Sequence, residues 1–186
     1  MQEYILRLCK ELGRQQLWDN ESRLLLAVSG GVDSMALLGL VQQLPPEWKP
    51  QFAVVHVHHH LREESDEEYR MVRDYCETQK IAFFAEHWTE ESHPKSNLEM
   101  AAREFRYAFF ADMMEKWPAT HLATAHHADD QLETILMRLV RGSTLKGISG
   151  IAMSRTFGRG QLVRPLLQFQ KDELYQICGI AGIPYR

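Results

Sequence analysis

Residues 29–34 read Ser-Gly-Gly-Val-Asp-Ser and follow directly on the apolar run LLLAV. Adjacent glycines let the main chain take conformations closed to residues with a Cβ and approach a ligand closely. Their amides, with a helix behind them, form a concave set of N–H donors suited to an anion, and the helix dipole adds to the field. The hydroxyls of Ser29 and Ser34 can donate to phosphate oxygens as well. Asp33 repels a bare phosphate, and makes sense where Mg²⁺ lies between carboxylate and phosphates, both hard oxygen ligands. The plainer reading is a strand–turn–helix junction capped by Asp33 or Ser34. The hexapeptide is neither GxxxxGK[ST] nor GxGxxG.

Three further clusters carry chemistry. Asp130 and Glu133 stand three apart on a helical pattern, hence side by side, where two carboxylates can hold Mg²⁺ or accept a proton. Equally, Asp129, Asp130 and Glu133 complement a helix amino terminus. Glu99, Arg103 and Arg106 share a helix face, either as a surface pair of little energetic worth or as fixed cations for developing negative charge. His58, His59 and His60 are consecutive, as are His126 and His127. A metal would take one from each cluster, since consecutive side chains diverge, and no cysteine joins them. The readings preferred to that one are a nucleotide pocket wall or hydrogen bonds that hold the loops.

These residues need a frame. Short apolar runs at residues 24–29, 52–57, 81–86 and 121–125, with a weaker one at 161–166, alternate with helical patterns at 34–44, 63–80, 97–116, 129–141 and 171–178. Such alternation predicts an α/β fold: an open, mostly parallel five-stranded sheet with helices on both faces. Pro165 makes the fifth strand an edge or a strand end. In the helix from Asp129, Leu132, Ile135, Leu136, Leu139 and Val140 form an apolar stripe expected to face the sheet. Ligands in this class bind beyond the carboxyl ends of the strands, where the order reverses. The glycine turn and both histidine clusters fall at such ends.

The chain has 186 residues, 45% hydrophobic and 25% charged, which suits one domain with a full core. No apolar run has the length of a bilayer span, and the helical, charge-bearing amino terminus (residues 1–20) is not a signal peptide. The three cysteines, Cys9, Cys76 and Cys178, have no CxxC spacing, which argues against disulfides and cysteine-ligated clusters and for a reducing cytoplasm. The net charge is −4, yet residues 134–171 contain no acid and seven basic side chains: Arg138, Arg141, Lys146, Arg155, Arg159, Arg164 and Lys171. That stretch suggests a polyanion contact, the alternative being scattered solvated charges.

The hexapeptide resembles the pyrophosphate loop of ATP pyrophosphatases, which cleave ATP between the α and β phosphates. With HVHHHLR (56–62), EMAAREFRY (99–107), AHHADDQLET (125–134), LVRGSTLKGISG (139–150) and RPLL (164–167), residues 20–186 resemble the catalytic domain of bacterial tRNA(Ile)-lysidine synthetases. The resemblance implies an adenine nucleotide alpha hydrolase-like, Rossmann-like architecture forming a single PP-loop domain over residues 1–186. It implies adenylation of C2 of the wobble cytidine in a CAU anticodon, then attack by free L-lysine to give lysidine. ATP and Mg²⁺ are the implied cofactors. As site residues it implies Asp33, Arg106, Asp130 and Glu133 for catalysis, and Ser29, Gly30, Gly31, Val32, Asp33, Ser34, His58 and Arg103 for ATP. Asp33 and Asp130 are candidate Mg²⁺ ligands, and Arg138, Arg141 and Lys146 would contact tRNA. A homodimer stays open by analogy. Family members normally continue into tRNA-gripping domains beyond Arg186. The rival is a tRNA thiolase of the same superfamily, against which the missing CxxC spacing counts.

Overall fold

The computed structural model describes residues 1–60, 64–89, 93, 94, 96–140 and 150–186; Arg141 and Lys146 lie outside the described residues. Twelve elements follow in the order α1 (Gln2–Gln15), β1 (Arg23–Ala27), α2 (Val32–Gln42), β2 (Gln51–His58), α3 (Glu64–Thr78), β3 (Ala82–His87), α4 (Leu98–Lys116), β4 (His121–Ala123), α5 (Ala128–Val140), β5 (Ser154–Phe157), β6 (Gly160–Val163) and α6 (Lys171–Ala181).

The sheet has six strands rather than the expected five, in the order β3-β2-β1-β4-β6-β5. All pairs are parallel except β5–β6. The added strand is an antiparallel edge, a common attachment in doubly wound sheets. It escapes a search for apolar runs because Ser154, Arg155 and Thr156 are all exposed. Strand β1 pairs with β2 on one side and β4 on the other, with Leu24 opposite both Phe52 and His121. The chain winds outward to β3, then returns to the other side of β1. The order therefore reverses at the β1–β4 boundary, where an α/β sheet opens its ligand crevice.

Strand β1 reads as an unbroken apolar run because it is central and covered on both faces. On one face Leu24, Leu26 and Val54 join Leu37 and Leu38 of α2, Val72 and Cys76 of α3, and Leu174 and Ile177 of α6. On the other, Leu25, Val55 and Leu122 meet Phe109, Phe110, Met113 and Met114 of α4. Each such side chain removed from water contributes about 1.5–3 kcal/mol.

Two expectations about helices are corrected. Helix α6 runs through Gly179 to Ala181 and ends on Gly182, whose φ of 63° caps it in the left-handed region. Helix α5 does not lay its apolar stripe on the sheet, for it has no buried residue. Leu132, Leu136, Leu139 and Val140 are 57%, 51%, 48% and 87% exposed. Periodicity shows that one side of this helix is apolar and says nothing of what covers it.

Candidate functional site

At the carboxyl end of β1 the ladder continues one step, with Val28 N donating to Val55 O at 3.0 Å, before the chain turns into α2. Only one of the two glycines needs its freedom. Gly30 has φ of +101°, whereas Gly31, the N-cap of α2, sits at φ −71°, ψ 159°, open to any residue. Ser34, expected as a donor to phosphate, is engaged within its own turn. Its hydroxyl donates to Gly31 O at 3.0 Å and accepts from the Ser29 and Gly30 amides at 3.1 and 3.3 Å, so it clasps the turn from within. Helix geometry leaves the first-turn amides of Val32, Asp33 and Ser34 without intrahelical acceptors. Gly31 supplies no side-chain cap, so these amides are the ones available to an anion.

The turn opens on a cavity of about 300 Å³. Val55, Val57 and Phe110 give it an apolar wall, which suits a purine face. Arg103, Arg106, His59, Asp33, Asp130, Thr124 and His126 line the cavity as well. Burial pushes the Arg106 guanidinium below its ordinary range and Arg103 adds to that, Tyr107 opposing, yet it stays charged at neutral pH. His59 is brought down to about 4 by burial, then by Arg106. His126 is lowered by burial and by Arg164, against the pull of Asp130. Both imidazoles are therefore neutral at pH 7.

The carboxylates are organised by Lys171, which sequence reasoning left out of the site, and by His127, which it read as pocket wall or as a hydrogen-bonding holder of its loop. Lys171 Nζ donates to both oxygens of Asp33, at 2.6 and 2.8 Å. His127 accepts the Asp129 amide at Nδ1 (3.3 Å), which puts its proton on Nε2. That nitrogen lies 3.6 Å from Asp33 Oδ2 and 3.5 Å from Asp130 Oδ2, between the two carboxylates. Asp130 also accepts the His127 amide at 2.8 Å, half of a capping arrangement at the start of α5. Capping and site lining are thus both true of it. Asp33 and Asp130 offer hard oxygen donors, a donor chemistry that suits Mg²⁺.

The other expected residues fall as follows. Ser29, Asp33, Ser34, Arg103, Arg106 and Asp130 line the cavity, and Gly30, Gly31 and Val32 form the turn beside it. His58 does not: its ring lies on the opposite face of β2, with Nε2 2.8 Å from Asp66 Oδ1. The period of two along a strand lets only one of two neighbouring histidines reach the cavity, and it is His59. Glu133 is exposed and belongs with Leu132, Leu136 and Met137 in a shallow apolar depression on α5, outside the cavity. Arg138 is half-buried in the last turn of α5.

A parallel sheet that reverses its order beside an amide-lined turn, with cations and carboxylates beside an apolar wall, defines a nucleotide-binding α/β domain. Comparison with known sequences narrows this: the chain belongs to the PP-loop domain family, whose model matches residues 1–186. It is 45% identical over 176 residues to the tRNA(Ile)-lysidine synthase of Lactiplantibacillus plantarum, covering 95% of this chain and 39% of that protein. To the enzyme of the same name from Enterococcus faecalis it is 46% identical over 167 residues, covering 89% of this chain and 36% of the relative. The chain thus spans under two fifths of the length of these relatives.

Among solved structures, the U34-tRNA thiolase NcsA from Methanococcus maripaludis, with its [4Fe-4S] cluster, superposes with a TM-score of 0.79 at 18% identity over all of this chain and 64% of that one. NMN synthetase from Francisella tularensis gives 0.60 at 13% identity, covering 98% of this chain and 71% of that one. Likeness at this level concerns the fold alone.

Proposed function

We propose that this chain is the ATP-using catalytic domain of a tRNA(Ile)-lysidine synthase, in which ATP activates C2 of the wobble cytidine in a CAU anticodon and free L-lysine replaces the C2 oxygen. The observation that carries the reading is the cavity that joins the turn amides, Arg103, Arg106, Asp33 and Asp130 around one apolar wall. The relatives at 45% and 46% identity, both bearing that enzyme's name, supply the substrate.

The residues divide the work. Amides of the first turn of α2 hold the phosphate tail, while Val55, Val57 and Phe110 seat the base. The cytidine C2 oxygen attacks the α-phosphorus and pyrophosphate leaves. Arg106, half-buried and permanently charged, stabilises the charge that grows there, and Arg103 assists. Lysine's ε-amine then attacks C2, and the C2–O bond breaks as AMP departs. The proton lost by the amine passes to a carboxylate that lines the cavity, Asp130. Mg²⁺, when bound, neutralises the departing pyrophosphate; Asp33 and Asp130 are the residues that would hold it. Arg138, and the basic residues that follow it in sequence, supply a track for the anticodon backbone. The reaction belongs in the cytoplasm, and no described helix is long and apolar enough to cross a membrane. Assembly as a homodimer accords with this reading.

The cysteines weigh against thiolation. Cys9, Cys76 and Cys178 lie on α1, α3 and α6, and none lines the cavity. Burial drives the Cys76 thiol up to about 12 and the Cys178 thiol up to about 11, so neither is a thiolate at neutral pH.

The test uses a chimera in which this chain replaces the matching segment of the L. plantarum relative. With ATP, Mg²⁺, labelled lysine and tRNA(Ile) bearing CAU, label is expected in the tRNA with AMP released in equal amount. A chimera that binds ATP and leaves the tRNA unlabelled refutes the assignment.

A further inference from the structure

On the face of the sheet away from the nucleotide cavity, three imidazoles converge at the carboxyl ends of the edge strand β3 and its neighbour β2. His58 and His87 are register partners in the parallel pair. Their rings stack at 5.1 Å between centroids and 22° between planes. His60 follows in the left-handed region, φ 51°, an uncommon conformation for a non-glycine residue, and so folds back over His58 with centroids 3.7 Å apart. His60 Nε2 lies 3.0 Å from His87 Nδ1. One ring nitrogen from each of the three falls within 4.8 Å of the others, the only such grouping of three metal-ligating side chains among the described residues.

We propose that His58, His60 and His87 form a site for a divalent transition-metal ion of the Zn²⁺ type, with Asp66 as the carboxylate that orients His58. Imidazole nitrogen is a ligand that Zn²⁺, Ni²⁺ and Cu²⁺ prefer and that Mg²⁺ does not, so this site and the oxygen-lined Asp33–Asp130 pair select different ions. The second ring nitrogen of a metal-bound histidine commonly donates to a carboxylate, which sets the tautomer and strengthens the ligand. His58 already has that partner, Nε2 being 2.8 Å from Asp66 Oδ1. Its Nδ1 lone pair therefore points the other way, where it now accepts only the His60 amide at 3.2 Å, a bond that the metal replaces. Three nitrogen ligands leave a further coordination position for water, as in open zinc sites. His60 is only partly covered and His87 is exposed, which gives an ion a path in.

The experiment measures metal content and needs no turnover. The full chain is equilibrated with Zn²⁺, or with Co²⁺ as a visible reporter of tetrahedral coordination, passed through a desalting column and assayed by mass spectrometry. One ion per chain is expected. Because His58 is buried and its loss can unfold the chain, the variants are His60→Ala, His87→Ala and their double, followed by thermal unfolding to confirm folding. The double variant should lose the ion, and Asp66→Asn should weaken binding by about 10–100-fold. Zn²⁺ retained at one per chain in the double variant overturns the proposal, and so does a wild-type chain that retains none. His126→Ala with His127→Ala must leave the stoichiometry unchanged; loss of the ion there moves the site to the nucleotide cavity and overturns it too.

Discussion

Exchanging each of the two adjacent glycines for alanine separates the turn that grips an anion from the turn that merely connects. Gly30 has φ of +101°, and a Cβ added there would stand 3.1 Å from Glu68 Cβ. Alanine in that region of φ is strained by about 1–3 kcal/mol, and the contact with α3 raises the figure within that range. Gly31 sits in extended backbone, where a Cβ meets only Ser29 Oγ at 3.7 Å. The cost there is about 0.5 kcal/mol, that of a poorer N-cap. For a domain of this size, about 2 kcal/mol lowers Tm by about 4–8 °C, and about 0.5 kcal/mol lowers it by about 1–2 °C. If the Gly30→Ala turn relaxes to relieve strain, the amides leave their positions, so ATP affinity should fall more than about tenfold, or about 1.4 kcal/mol. Differential scanning calorimetry and ATP titration calorimetry, each run on both variants, give the four numbers. Equal Tm shifts for the two variants, or a Gly30→Ala protein with unaltered Tm and affinity, refute the reasoning.

Four further outcomes are expected. Lys171→Met removes the ammonium from Asp33; the pair is about one third exposed, so Tm should barely move, while ATP affinity in Mg²⁺-free buffer falls about tenfold and added Mg²⁺ restores it, as titration calorimetry would read. Arg106→Ala should lower AMP release in the chimera by about 10²–10³-fold with near-normal ATP binding, measured by stopped-time radiolabel assay. Burial tends to raise the Glu173 carboxyl, but hydrogen bonds from Arg7 and the Gln170 amide outweigh it and leave the pKa below its ordinary 4.5. That stabilisation is present above about pH 4.5 and is lost as pH falls through the depressed value, so urea midpoints should drop over that interval and Arg7→Ala should flatten the drop. Leu136→Lys, on the exposed side of α5, should change the unfolding free energy from urea titration by no more than about 0.5 kcal/mol; a loss of about 2 kcal/mol or more would show that this side is packed.

The elements were readable where apolar periodicity and coverage agree. The run at 24–29 became β1, buried on both faces, and the four other apolar runs became strands whose ends differ by at most three residues. Strand β5 was not readable, because SRTF at an exposed edge carries no apolar signal. Helix α5 shows the converse: its stripe was plain, but a stripe does not state its partner. The glycine turn and Asp33 stood out by chemistry and spacing, whereas Asp130, Arg103 and Arg106 were singled out by the family resemblance, spacing alone leaving helix-end charge or a surface pair open. Lys171 was visible only as one more cation in a basic stretch, since its meeting with Asp33 depends on how α6 packs against α2. Alternation along β2 separates His58 from His59, but which face holds the cavity depends on where the crossover helices pack. The bonds of the Ser34 hydroxyl within the turn were hidden for a similar reason: a hydroxyl that can reach a ligand can also reach the backbone of its own turn.

The carboxylate of Asp33 and the ammonium of Lys171 are separated by 138 residues along the chain. The phosphate turn emerges early in synthesis, yet its counter-charge arrives only with α6. Contacts of such high sequence separation form late and slowly, because a large loop must close before they are rewarded. A nascent chain that has made β1 through β4 therefore has the amides but not the completed pocket, and Cys178 Sγ has yet to reach Val32 O at the start of α2. A nucleotide that binds the finished fold better than earlier forms adds up to RT ln(1 + [ATP]/Kd) to its stability.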